Sequence, residues 1–202
     1  MGNHEPTTDL AAIFKEVGRM LYATNNHHSC IVGSVLLTKV LHRLNYSDAY
    51  PLNVEVRIHN RLFQKWVDAH DFPKDEASAA ACDAAGGLVI IVGKGAEGFI
   101  SADRWPGHLA VVVPKHFGDH HALCDLTIGQ ANRPDWEVDL PPMCFRVSDD
   151  FVAGRRPFQK VVNGSLVIYK AFPKDHSYSE ASDWLAMEGL DEATSKVISR
   201  LK

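Results

Sequence analysis

The sequence contains no Cys-x-x-Cys pair, no run of basic residues, and no apolar stretch near the ~20 residues of a membrane-spanning helix. Each absence excludes a class. Cys30, Cys82, Cys124 and Cys144 are widely spaced. In a chain of 202 residues they predict reduced thiols in a cytoplasmic protein rather than a disulfide framework. Lysine and arginine total 21 against 25 aspartates and glutamates, a formal charge of −4. Without a basic cluster the chain is not expected to take nucleic acid as its partner, because phosphate recognition needs one. The opening Met-Gly-Asn-His-Glu-Pro has neither the basic nor the apolar part of a secretory signal. Pro6 removes a myristoylation context from Gly2. No repeat, low-complexity tract or linker interrupts the chain, so a single domain over 1–202 with no membrane association is expected.

What the chain does have is patterned apolar sequence. Leu10, Ile13, Phe14, Val17, Met20 and Leu21 recur at helical spacing and predict a helix from Asp9 to about Tyr22, capped by Thr7 or Thr8. From Ile31 to Leu44 the apolar residues cover nearly the whole circumference, as in a central buried helix, with Ser29 as its cap. Leu52 to Ile58 alternates strictly, the mark of a half-buried strand. Helical turns near Leu62–Val67 and over 75–85 precede a short buried strand, 88–92. Strands over 107–114, closed by Pro114, and 122–128 are joined by a polar turn and predict an antiparallel hairpin. A second hairpin turns at Asn163-Gly164. A helix is expected near the C-terminus, opened by the capping-box spacing of Ser177 and Glu180, with Trp184, Leu185, Met187 and Leu190 on its apolar face. Helices, then mostly antiparallel strands, then a helix make an α+β fold.

The chemistry gathers at Asn25-Asn-His-His-Ser-Cys30. A helix N-terminus carries a partial positive charge and free N–H groups, and both favour a thiolate nucleophile. His108 heads one strand of the first predicted hairpin, and Asp125 lies in the other. Paired strands are ~4.8 Å apart, so the two side chains fall within mutual reach. Taken singly, Cys30 reads as a buried thiol and His108 as a loop histidine. Aspartate among Leu123, Cys124, Leu126 and Ile128 is uncommon in a strand and calls for a partner. Together they read as a catalytic set, in which imidazole moves the thiol proton and carboxylate orients the imidazole. Cys124 faces away from Asp125 under the strand's period of two and is expected in the core. Gln130, just past Asp125, either supports the site or caps the strand, the second reading being slightly preferred, and Gly93–Gly98 reads as a mobile lid.

The pieces His28-Ser-Cys30 with its helix, Gly107-His-Leu-Ala-Val-Val-Val, and Leu123-Cys-Asp-Leu-Thr stand in an order that resembles the transglutaminase-like branch of the papain-like superfamily. Arylamine N-acetyltransferases share that arrangement. The resemblance covers roughly residues 25–130. It implies a papain-like core, in which a buried Cys-bearing helix packs on an antiparallel sheet, with extra N- and C-terminal helices. The core would span about 23–135, with a C-terminal hairpin and helix extension over about 145–202. It implies Cys30 as nucleophile, His108 as base and acid, and Asp125 as orienting group. The expected enzyme is a cysteine-dependent hydrolase acting through an acyl-enzyme, without cofactor or metal, on a protein, a peptide or another small amide or acyl donor. Acyl transfer to an amine is the alternative on the same triad. The chain departs from the pattern before Cys30. It lacks the oxyanion Gln of papain-like peptidases, the Trp of transglutaminase-like proteins, and the Arg-Gly-Gly of arylamine acetyltransferases. Asn25 or Asn26, with the Cys30 backbone N–H, is the substitute oxyanion donor.

Two rival readings come from other classes. His27, His28, His116, His120, His121 and Cys124 include the ligand types of a zinc site, although 116–124 matches no zinc-finger spacing. A binding module that keeps the papain-like shape would use the cleft for a partner and would have no need of a reactive Cys30.

Overall fold

The alternating segment at 52–58 becomes the centre of an antiparallel sheet. The computed structural model describes residues 9–25, 29–93, 105, 107–180 and 190–202. Within them the elements run α1 (Leu10–Ala23), α2 (Cys30–Arg43), β1 (Tyr50–His59), α3 (Arg61–His70), α4 (Glu76–Ala84), β2 (Val89–Val92), β3 (His108–Phe117), β4 (His120–Asp125), β5 (Met143–Val147), α5 (Asp149–Val152), β6 (Phe158–Val162), β7 (Ser165–Ala171) and α6 (Leu190–Leu201). This is a mixed α+β fold.

The strand order is β5-β4-β3-β1-β7-β6, with β2 also against β1. All six pairings are antiparallel. The ten residues of β1 make room for two partners on one side. Tyr50–Val54 pair with β3, and Val56–His59 pair with β2. Strands β2 and β3 therefore lie end to end, and His108 falls at their junction, opposite Val54. Gly93, the first residue after β2, fills that junction with φ +103°. A Cβ there would lie 2.6 Å from the Val54 carbonyl oxygen and 3.3 Å from His108 Cβ, so glycine is required.

The two ends of the strand order meet. Phe145 of β5 and Phe158 of β6 have ring centroids 5.1 Å apart, so the twisted sheet curls to a nearly closed barrel. Its interior holds Leu52, Val54, Val56, Ile58, Ala110, Val112, Leu123 and Tyr169, with Phe151 of α5. Its outer face carries Val111, Val113, Ala122 and Cys124 against α1, α2 and α6. Residues 52–56 of β1 are consequently buried on both faces; the alternation had predicted a half-buried strand. At the far end of β1, fully buried Asn60 accepts from the N–H groups of Phe63 and Leu88 and donates to the Gly86 and Trp136 carbonyls.

Other expectations change in detail. Helix α1 is capped by Asp9 itself, whose carboxylate accepts from the Ala11 N–H; Thr7 and Thr8 lie outside the described residues. Strand β2 is partly exposed rather than buried, because β1 is its sole strand partner among the described residues. Pro114 does not close β3. The register shifts between Val113 and Phe117, Lys115 takes φ 50°, and the strand resumes after this irregularity. The hairpin at 163–164 follows the expected chemistry, with φ of 48° at Asn163 and 84° at Gly164. Ser177–Glu180 forms a 3₁₀ turn. The expected positions of Trp184, Leu185 and Met187 lie outside the described residues, and α6 starts at Leu190. The patterning did not foresee β5 or α5. They bury Met143, Val147 and Phe151 with too few residues for a period to show.

Candidate active site

Cys30 owes its position to α2. Ser29 takes an extended conformation (ψ 103°) and accepts from the Val32 N–H at 3.3 Å, which caps the helix and leaves Cys30 in its first turn. The helix approaches the sheet through small residues. Ser34 donates to the Leu109 carbonyl (3.1 Å). A Cβ at Gly33 would sit 2.9 Å from Thr127 Cγ2. Half-buried Cys30 directs its thiol toward the Gly107 carbonyl, 3.8 Å away.

His108 and Asp125 are both completely buried. The register Val111↔Cys124 makes Asp125 diagonal, not directly opposite, to His108. Both side chains lie on the face that carries Ala110, Val112 and Leu123. Nε2 of His108 donates to Asp125 Oδ2 at 2.8 Å. That carboxylate also accepts from the Tyr169 hydroxyl at Oδ2 (2.9 Å) and from the Thr127 N–H at Oδ1 (3.1 Å). The other ring nitrogen, Nδ1, is 2.9 Å from Gln130 Nε2. With Nε2–H committed to Asp125, Nδ1 of the neutral ring accepts from the Gln130 amide N–H, whereas in the protonated ring Nδ1–H donates to the Gln130 amide oxygen.

Burial alone would lower the affinity of His108 for a proton. The Asp125 charge and hydrogen bond, reinforced by the Cys30 thiol, outweigh it and raise the pKa from 6.5 to about 10. Tyr169 is pushed well above its usual range, first by burial and then by the adjacent Asp125 charge. The carboxylate is thus the charged anchor, and the groups around it are held as donors.

No family model matches this chain, and no curated protein or solved structure is similar to it to a significant degree.

Trp105, Ile31, Leu109 and Tyr178 pack around Cys30. The Trp105 indole donates to Ser177 Oγ at 2.9 Å and meets Tyr178 edge-on. A side chain at Gly107 would collide with that indole. Asn25, one of two expected oxyanion donors, is exposed at the turn after α1, with φ 56°. Asn26, the other, lies outside the described residues, as do His27, His28 and positions 94–98 of the expected lid.

Sequence reasoning overlooked Tyr169 and put Gln130 in the site only as the less favoured of two readings; it contacts His108. For Gln130 the available signal was its place five residues beyond Asp125. Tyr169 gave none, because only strand order brings β7 into the same barrel.

The remaining histidines have other engagements. His121 bonds to Asp149 at 2.7 Å, His120 to Arg146 at 3.0 Å, and the His116 ring packs on Tyr46. Among the described residues, no group of three His, Cys, Asp or Glu side chains converges as metal ligands would. None of the described helices is long and apolar enough to cross a membrane.

Proposed function

We propose that this protein is a cysteine-dependent amide hydrolase in which Cys30 is the nucleophile, His108 the proton carrier and Asp125 its orienting group. The observation that carries the reading is the fully buried 2.8 Å His108–Asp125 pair, set beside a thiol at the first turn of a capped helix. A papain-like or transglutaminase-like arrangement is part of the proposal. A buried Cys-bearing helix on an antiparallel sheet, and the order Cys, His, Asp along the chain, support it.

In this mechanism the thiol proton rests on His108, whose raised pKa favours the imidazolium, and the Cys30 sulfur attacks the carbonyl carbon of an amide. The tetrahedral intermediate collapses as the imidazolium gives its proton to the leaving amine, and an acyl-thioester remains. Water then attacks the thioester with His108 as base, releasing a carboxylate and restoring the thiol. Asp125 keeps Nε2–H engaged throughout, so the exchanged proton travels through Nδ1. Gln130 suits both states of that nitrogen. Its amide donates to neutral Nδ1, and the same amide turned over offers Oε1 to Nδ1–H. An amine in place of water gives acyl transfer by the same acyl-enzyme.

The test is site-resolved labelling with iodoacetamide at neutral pH, in a Cys144→Ser background so that the exposed thiol does not compete. Cys30 is expected to react far faster than Cys82 and Cys124, and His108→Ala is expected to remove that advantage. Peptide and isopeptide substrates would follow, with product analysis separating hydrolysis from transfer. Equal labelling of the three cysteines, unaffected by His108, would leave the binding-module reading in its place.

A further inference from the structure

Cys124 and Cys144 take no part in the chemistry above, yet they are direct cross-strand partners in the β4–β5 register. Directly opposed antiparallel residues have Cα atoms ~4.5–5.5 Å apart, inside the ~4.4–6.8 Å that a disulfide spans. Their sulfurs are 3.0 Å apart, and both are free thiols. We propose that Cys124 and Cys144 form a reversible redox site, a dithiol that hydrogen peroxide converts to a cross-strand disulfide.

The two thiols are unequal in a way that assigns their roles. Cys144 lies on an edge strand and is exposed, whereas Cys124 is 1% exposed beneath the helices. The hydrogen bond from Cys124 lowers the Cys144 pKa against the opposing effect of burial. That same bond, then burial, raises Cys124 well above a free thiol. Cys144 is the attacking sulfur and Cys124 the resolving one. The Cys144 thiolate attacks one peroxide oxygen, the O–O bond breaks, and hydroxide leaves and is protonated to water, giving a sulfenic acid. Cys124 then attacks the sulfenic sulfur. The S–S bond forms, the S–O bond breaks, and a second water leaves with the Cys124 proton. Two electrons pass from the dithiol to the peroxide, and a thiol reductant returns them by exchange. The new bond would tie the edge strand to β4 at the residue next to Asp125, whose own partner in the register is Met143.

The experiment uses the full chain carrying Cys30→Ser, which separates it from the hydrolase reading. Hydrogen peroxide treatment, N-ethylmaleimide quenching and non-reducing peptide mapping should give a Cys124–Cys144 linked peptide. It should be lighter by two hydrogens and restored by dithiothreitol, with Cys82 still alkylated. Cys144→Ser, at an exposed edge position that does not put folding at risk, should abolish the product and leave Cys124 reduced. A Cys144 that goes on to sulfinic acid, joins two chains, or stays unoxidised while Cys124 remains a free thiol would overturn the proposal.

Discussion

At the scale of single residues, the site is a charge held in the dark. Asp125 is fully buried, and Thr127, His108 and Tyr169 supply its donors. Removing the Tyr169 hydroxyl takes a hydrogen bond from a charged acceptor. Tyr169→Phe is therefore expected to cost about 1.5–3 kcal/mol of stability, read from denaturant midpoints. A loss below a few tenths would show that water replaces the hydroxyl. His108 carries a pH signature. Its folded pKa of about 10 lies above the ordinary 6.5. The stability it contributes is complete below pH 6.5 and is lost as pH rises through about 10. The stability gap between wild type and His108→Gln should narrow across that window, and a constant gap would contradict a charged His108. The chain order of Cys30, His108 and Asp125 was legible because each residue type stood at the start or within a patterned segment. The role of Gln130 was less legible. A polar residue after a strand has many ordinary uses, and only geometry distinguishes them.

At the scale of elements, α2 and the β3–β4 hairpin carry the candidate site between them. Their approach depends on Gly33, where a Cβ would meet Thr127 Cγ2 at 2.9 Å and Leu21 Cδ1 at 3.3 Å. Alanine is normally worth ~1 kcal/mol more than glycine inside a helix. Here Gly33→Ala is expected to destabilise by about 1–3 kcal/mol, since overpacking outweighs propensity. It should also slow Cys30 alkylation, because Thr127 is hydrogen-bonded through its N–H to Asp125. A stabilised protein with unchanged labelling would sink this account. Periodicity made α1, α2, β1 and the 163–164 hairpin legible. It misread Pro114 as a strand end, because an irregularity in the pairing lets β3 resume beyond it. It missed β5 and α5, which are five and four residues long.

At the scale of the whole molecule, the sheet closes by packing. Phe145 and Phe158 bring the two edge strands together, and Phe151 and Tyr169 lie against Phe158 at centroid distances of 6.2 and 6.5 Å. Phe158 is half-buried, so Phe158→Ala should cost about 2–3 kcal/mol, somewhat less than a fully buried aromatic. Hydrogen exchange should rise first in β5 and β6 while β1 and β3 stay protected. Uniform loss of protection would argue that the barrel does not depend on this seam.

What the sequence determined by itself is local. Helical spacing sets α1 and α2, Ser29 caps the helix that begins at Cys30, and Asn163-Gly164 turns a hairpin. These outcomes depend on neighbours within a few residues, whose sterics and hydrogen bonds the chain specifies directly. Tertiary structure alone decided which distant groups share a site. The place of β7 beside β1 sends Tyr169 to Asp125, the end-to-end arrangement of β2 and β3 sets His108 against Gly93, and the β4–β5 register puts Cys124 opposite Cys144. Those contacts follow from strand order and from burial on two faces. Both arise when the sheet minimises exposed apolar surface and unpaired backbone together, a global balance that no local pattern encodes.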